Sequence, residues 1–508
     1  MKTAMPRIDP DTLWKQASLA IEGYDHARAD KLLTEALQAL EGPARIRFLA
    51  QYGRVLGPLG RQAEAVGAVR EAVALLETTG AEGDAATWHM LGLTLCNARN
   101  EAEALPLLRR ATELAPASGA YWKTRGETEE FLGRTDEAEH SYDIAASSGN
   151  WAAHLALARL KRWTPARNHI DRLINTPVQS ALHRACQGYA LFKEYDDIDD
   201  RANAWQWLQK GAAAARAQPV TPRRPAWSTE AERATTEAWG AAFPPERFAT
   251  PPDICRTGPR RIFIIGLPRS GTTLIERILG AHSQVQALGE LATFPAAIKT
   301  LSGSQTPALL DAETITAAAQ VNPQAIADFY DRENAWRHDG SRCVTDKLPH
   351  NSDYAGLIRL AFPDAAIIHV RRAPMDALFG AYKLYFAAGW SFDQNDLADH
   401  YHNYRRLMDH WKACLGDGLI DISLEALIRD PGTEIRRLLA ACGLPFEDAC
   451  LCPHTAGGAV SSASASQVRK PINAEGMGAW RRYEIQLAPL RARLANMGAI
   501  DGDGDALS

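Results

Sequence analysis

Eight consecutive residues, Gly266-Leu267-Pro268-Arg269-Ser270-Gly271-Thr272-Thr273, combine two glycines, one arginine and three hydroxyls. That mixture suits one task, the holding of an anion. Loop amides and the unpaired N–H groups of a helix N-terminus point at one place, and the side chains add donors. The flanks supply the frame. Ile262-Phe263-Ile264-Ile265 is the continuous apolar run of a buried strand, three of its four residues being β-branched. After the loop, Leu274, Ile275, Ile278 and Leu279 mark a helix. The glycines have the spacing of GxxxxGK[ST], but Thr272 stands at the lysine position and Thr273 keeps the hydroxyl. Nucleoside triphosphatases use that lysine on the β- and γ-phosphates. The loop therefore predicts a shorter anionic chain as ligand and argues against ATP or GTP hydrolysis.

Other charges belong with this cradle. Glu290 follows Gly289 a short way beyond the helix, which can return it to the loop, and it is the candidate general base. His282, at the helix end, is the rival base. Lys347 lies in Thr345-Asp346-Lys347-Leu348-Pro349, and Arg371-Arg372 follow Ile367-Ile368-His369-Val370. Arg269, Lys347 and Arg372 thus all come just after strands. In open parallel sheets ligands bind beyond the carboxyl ends of the strands, so the three cations can converge there.

The run Gly266–Leu279 resembles the 5′-phosphosulfate loop of sulfotransferases that use 3′-phosphoadenosine-5′-phosphosulfate (PAPS). The likeness is to the bacterial group with tetratricopeptide repeats ahead of the sulfotransferase domain, distantly similar to tyrosylprotein sulfotransferases. It is most specific around 261–295 and 343–386. The resemblance implies that Arg269, Ser270, Gly271, Thr272 and Thr273 hold the 5′-phosphate and sulfonate. It implies Glu290 as base, Lys347 at the bridging oxygen or sulfonate, and Arg372 at the ribose 3′-phosphate. Asp346 is expected to position backbone or Lys347. Relatives usually carry a serine eight residues after the second arginine; Gly380 stands there, and Lys383, at i+3, is the expected replacement. Leu424 stands where relatives commonly have a tyrosine. Residues 464–473 resemble a loop closing over the nucleotide, with Ser464 and Lys470 as phosphate contacts. No metal is implied.

The elements that position these residues fall into two regions. Trp88, Leu91, Gly92, Leu95, Ala104, Leu108, Ala111 and Pro116 match a tetratricopeptide repeat, and the pattern returns about every 34 residues. Four copies fill about 12–149, with Ala204, Leu208 and Gly211 in a possible further copy. Each copy leaves an apolar face for its neighbour, which predicts a solenoid. From 258, strands at 261–265, 343–346, 366–370 and 418–422 alternate with helices at 293–300, 322–337, 351–361, 374–387 and 431–441. This predicts a parallel sheet with helices on both faces. The expected fold class is thus an α-solenoid over 12–216, a proline- and arginine-rich connector laid over the surface at 217–257 with one helix at 229–241, and a P-loop-type α/β domain over 258–500. Trp480 and Tyr483 are expected to pack the final helix.

Composition narrows the functional class. A net charge of −5 argues against a nucleic-acid binder. No apolar run approaches a bilayer span, and no apolar signal core opens the chain, so a cytoplasmic protein is expected. The eight cysteines form no CxxC pair, so a zinc site is not expected. The reading is a PAPS-dependent sulfotransferase acting on a peptide or small-molecule hydroxyl, a protein tyrosine being one candidate acceptor, whose repeats recruit substrate or a protein partner. The alternative is a nucleotide-binding scaffold with a weakened catalytic domain. A P-loop kinase is disfavoured by Thr272.

Overall fold

The structure is a computed structural model of the chain. It describes residues 9–501 except 24, 222–225, 251, 255–257, 307, 386–388 and 463. Four helical hairpins open it: Pro10–Glu22 with His26–Ala39, Ile46–Leu56 with Gln62–Thr79, Ala85–Asn97 with Glu101–Leu114, and Gly119–Phe131 with Thr135–Ser147. Their starts are legible in the sequence. Asp25 and Asp84 each accept a hydrogen bond from the amide three residues on, satisfying a donor that the helix cannot pair. Helix Trp151–Leu160 follows, then a fifth hairpin, Ala181–Asp197 with Arg201–Arg216. In this hairpin a Cβ on Gly188 would lie 2.4 Å from Gly211 Cα, so only glycine permits the approach.

The second region is built on a five-stranded sheet of β1 (Arg260–Gly266), β2 (Val285–Ala287), β3 (Cys343–Asp346), β4 (Ala366–Arg371) and β5 (Leu419–Ser423). The order is β2-β3-β1-β4-β5 and every pairing is parallel. Central β1 divides its side chains by alternation. Ile262 and Ile264 join the core on one face, and Phe263 and Ile265 join the other. β2 has three residues and escapes the sequence reading. The 22-residue helix Gln394–Leu415 escapes it too, because its buried face mixes Tyr401 and Trp411 into a His-, Asp- and Arg-rich run. The expected helix 374–387 is Pro374–Tyr382, with 386 and 387 outside the described residues.

Two features depart from the expected layout. The described connector is mostly exposed or half-buried, but it carries an anchor in the core. Its helix Thr229–Ala242 buries Trp239 completely, and Phe243 just beyond is also buried; the Trp239 ring lies 5.5 Å from that of Trp411. Surface composition misleads here because only two large aromatics anchor an otherwise polar helix. Second, the core runs on across residues 217–257. Tyr189, Phe192 and Trp205 of the last hairpin share one cluster with Phe379, Tyr382, Trp480 and Tyr483. The Trp205 and Tyr483 rings are 5.7 Å apart, and Tyr483 donates to Asp196 at 2.7 Å. Trp480 and Tyr483 pack on the final helix, Ala488–Asn496, through Leu490 and Leu494, and on the solenoid as well.

Candidate active site

The loop leaving β1 has the geometry its residues demand. Gly266 has φ +150°, and a Cβ there would meet Val370 O at 2.7 Å. Gly271 has φ +99° and caps the helix Thr272–Gly280; a Cβ there would meet Leu424 at 2.7 Å. Leu424 therefore packs on the loop at the place where relatives commonly have a tyrosine. Arg269 takes φ +72°, a left-handed conformation uncommon for a residue with a side chain. The hydroxyl of Ser270 is buried without a partner among the described residues. A buried, unpaired donor in a cradle of amides fits an anionic ligand.

The late segment closes over this loop. Arg269 donates to Ser464, and to Gln467 at 3.0 Å. Thr273 and Ser462 hydroxyls are 3.2 Å apart. A cavity of about 80 Å³ remains, lined by Arg269, Thr272, Thr273, Glu290, Pro349, Ser462 and Ser464 among others. A larger open hollow of about 460 Å³ lies in the solenoid near Thr34, Arg45 and Tyr52, away from every candidate group above.

Cations gather beside the cradle. Arg372 donates to the carbonyl of Arg269 at 2.7 Å and to that of Gly476. Burial, then the charges of Arg372 and the solenoid's Arg159, lower the pKa of Arg269. Burial, then Arg269, pushes Lys383 down to about 8, with Arg372 and Arg482 adding to the shift and Asp196 opposing it. Lys383 thus shares the electrostatic neighbourhood of Arg269 and Arg372. Gly380 has a different effect from a serine. A Cβ there would lie 3.1 Å from Arg269 Cβ, so the glycine lets the arginine lie close to the helix. Lys470 departs from expectation: it is exposed, pairs with Glu475 at 3.7 Å and does not line the cavity. Its neighbour Arg469 turns instead to the solenoid, donating to Phe131 O at 2.7 Å.

Glu290 and Lys347 meet at the far wall. Lys347 Nζ lies 2.5 Å from Glu290 Oε1, with the lysine 1% and the glutamate 24% exposed. Their backbones are joined, since Lys347 N donates to Gly289 O at 2.9 Å. Glu276, one turn into the loop helix, ties the two strands of this wall. It accepts from Gly289 N and from Thr345 Oγ1, both at 2.9 Å. Burial raises the Glu276 pKa. Asp346 is buried, accepts from Tyr330 at 2.9 Å and Asn351 at 3.2 Å, and is pushed up to about 8, chiefly by burial. It supports the wall and makes no bond to Lys347. His282 is buried away from this pair, its ring 3.0 Å from Pro445 O, and is not placed to act as a base. His350 is the nearer histidine; burial and His400 lower its pKa while the Glu290 charge raises it.

Sequence reasoning missed Arg99, Glu276, His350 and Ser462, and it named the stretch 464–473 without singling out Gln467. Glu276 alone left a signal, a carboxylate within the apolar turn Leu274-Ile275-Glu276-Arg277-Ile278.

Residues 259–448, which hold the cradle and the sheet, match the model of the Sulfotransferase family. An uncharacterized protein of Aquifex aeolicus is 28% identical over 467 residues, which are 88% of this chain. The chain spans 59% of that protein's length. Protein-tyrosine sulfotransferase 1 of Danio rerio is 27% identical over 256 residues, 46% of this chain and 71% of that protein. Among solved structures, the sulfotransferase domain of the Synechococcus PCC 7002 olefin synthase is 22% identical, covering 48% of this chain and 98% of its own, with a TM-score of 0.32. YrrB, a TPR protein with an unusual peptide-binding site, is 18% identical, covering 39% of this chain and 91% of its own, with a TM-score of 0.27.

Proposed function

We propose that this chain is a PAPS-dependent sulfotransferase. The observation that carries the proposal is the Glu290–Lys347 pair, 2.5 Å apart, whose glutamate lines the cavity of the anion cradle with the lysine buried behind it. The cradle amides with Arg269, Ser270, Thr272 and Thr273 hold the 5′-phosphate and sulfonate, and Arg372 with Lys383 serves the 3′-phosphate. Glu290 takes the proton of the acceptor hydroxyl as its oxygen bonds to sulfur. The bond from sulfur to the bridging phosphate oxygen breaks, and adenosine-3′,5′-bisphosphate leaves. Lys347 offsets the negative charge that grows on that leaving oxygen. To do so it must exchange its contact with Glu290 for one with the leaving group, and that exchange frees the carboxylate to act as base.

A protein tyrosine is the acceptor class favoured by the likeness to Protein-tyrosine sulfotransferase 1. The solenoid is the surface that would recruit it or a protein partner. No described helix is long and apolar enough to cross a membrane. The described cysteines are all free thiols, which suits a reducing compartment such as the cytoplasm. The test is a transfer assay with labelled PAPS against tyrosine peptides, phenols and sugars. Label on a tyrosine peptide is the expected result. Label on no acceptor, with adenosine-3′,5′-bisphosphate still bound, would favour a scaffold.

A further inference from the structure

The solenoid does more than cover the catalytic region. Between helices Ala85–Asn97 and Glu101–Leu114 the chain turns through Ala98-Arg99-Asn100, with Arg99 at φ +57°. This turn reaches three parts of the site. Arg99 Nε donates to the backbone carbonyl of Glu290 at 3.2 Å, and its terminal nitrogen lies 3.8 Å from Glu290 Oε2. Ala98 O accepts from Arg337, whose own carbonyl accepts from Gln286 of β2 at 2.7 Å. Glu101 accepts from Ser461, next to the Ser462 that lines the cavity.

The two oxygens of Glu290 therefore face different cations. Oε1 faces Lys347 from the sheet, and Oε2 faces Arg99 from the solenoid. Arg99 also holds the glutamate's own carbonyl, which fixes the backbone as well as the carboxylate. We infer that Arg99 is a positioning residue for the proposed sulfuryl transfer, orienting Glu290 from the solenoid. The inference rests on the proposed function. Its physical content concerns the moment when Lys347 turns to the leaving group. Glu290 then loses its nearer partner, and Arg99 is the contact that keeps the carboxylate aimed. The repeats become part of the catalytic site, needed even for an acceptor too small to touch their surface.

The experiment uses the full chain, labelled PAPS and the smallest acceptor that the parent turns over. Arg99→Ala should lower kcat by about 10- to 100-fold, the cost of misplacing a catalytic group. The KM for PAPS and the affinity for adenosine-3′,5′-bisphosphate should stay within about twofold, because Arg99 faces the base and not the cradle. In a Glu290→Gln background Arg99→Ala should add almost nothing, since the base whose aim it sets is already gone even though the backbone carbonyl remains; a merely structural role would add its full effect. Arg99→Gln, which keeps a donor, serves if the alanine variant is unstable and should fall between parent and alanine. Parental kcat in Arg99→Ala, or full additivity with Glu290→Gln, overturns the inference and leaves the proposed function standing. A parent that binds the bisphosphate and transfers to no acceptor overturns both.

Discussion

The anion cradle and the wall opposite it are built in different ways. The cradle is one continuous stretch, 266–273, folded by its own glycines on the end of a buried strand. The wall is assembled from four places: Glu276 in the loop helix, Glu290 after β2, Lys347 after β3, and Arg99 in the solenoid. A contiguous element carries its geometry in its spacing. An assembled one depends on which distant turns the fold brings together. Under the proposed function the contrast also divides labour, with ligand binding assigned to the cradle and proton transfer to the wall, and each prediction below acts on one side of it.

The largest effect should come from removing the solenoid. A chain reduced to 217–508 loses Tyr189, Phe192 and Trp205 from a core that it shares with Phe379, Tyr382 and Tyr483. Deleting one large buried aromatic side chain costs roughly 3–5 kcal/mol. Three such losses approach the ~5–15 kcal/mol stability of a domain. Thermal denaturation should show no cooperative transition near that of the full chain. A truncated chain that melts like the parent would make the two regions independent, and the solenoid contacts at the wall incidental.

Next come the cradle cations. Arg269→Ala and Arg372→Ala each remove charge-assisted contacts worth about 1.5–3 kcal/mol. The affinity for adenosine-3′,5′-bisphosphate should fall roughly 10- to 100-fold by calorimetry. Parental affinity in both variants would move the nucleotide away from the cradle.

A smaller effect should appear with pH. Lys383 is held at about 8, chiefly by burial and by the nearby Arg269 charge. Below that value it is charged and favours an anion; above it the charge is lost, so affinity should fall as pH rises. Between pH 7.5 and 9.5 the bisphosphate should bind several-fold more weakly at the alkaline end, about tenfold at most per proton and pH unit. Lys383→Met should flatten that slope. A slope that persists in Lys383→Met would assign it to another group. The smallest effect is expected at Lys470. Its exposed pair with Glu475 lies off the cavity, so Lys470→Ala should change affinity less than about twofold.

What could be read from the sequence follows the same division. Gly266, Gly271 and the strand Ile262–Ile265 announced the cradle because their constraints are local: close backbone approach, a helix start, and burial on two faces. The repeats were legible for a related reason, since Gly92 and Ala104 recur at fixed spacing wherever two helices must touch. Arg99 gave no sign. It lies in a polar turn between repeat helices, and its value comes from a contact made 191 residues along the chain. Lys470 misled in the opposite sense. It stands beside Ser464 and Gln467, which do reach Arg269, yet the turn sends its side chain outward. Trp239 was hidden by the prolines and arginines around it.

The separation of binding from chemistry is tested most directly on Glu290→Gln. That change keeps the side chain's shape and removes its ability to accept a proton. Calorimetry with adenosine-3′,5′-bisphosphate and a transfer assay with labelled PAPS would be run on the same preparation of the variant and the parent. Affinity within about twofold of the parent, with kcat lower by about 100-fold or more, is the predicted result. Transfer at the parental rate would remove Glu290 as the base, and equal losses of binding and turnover would place it in the cradle, contradicting the division of the site.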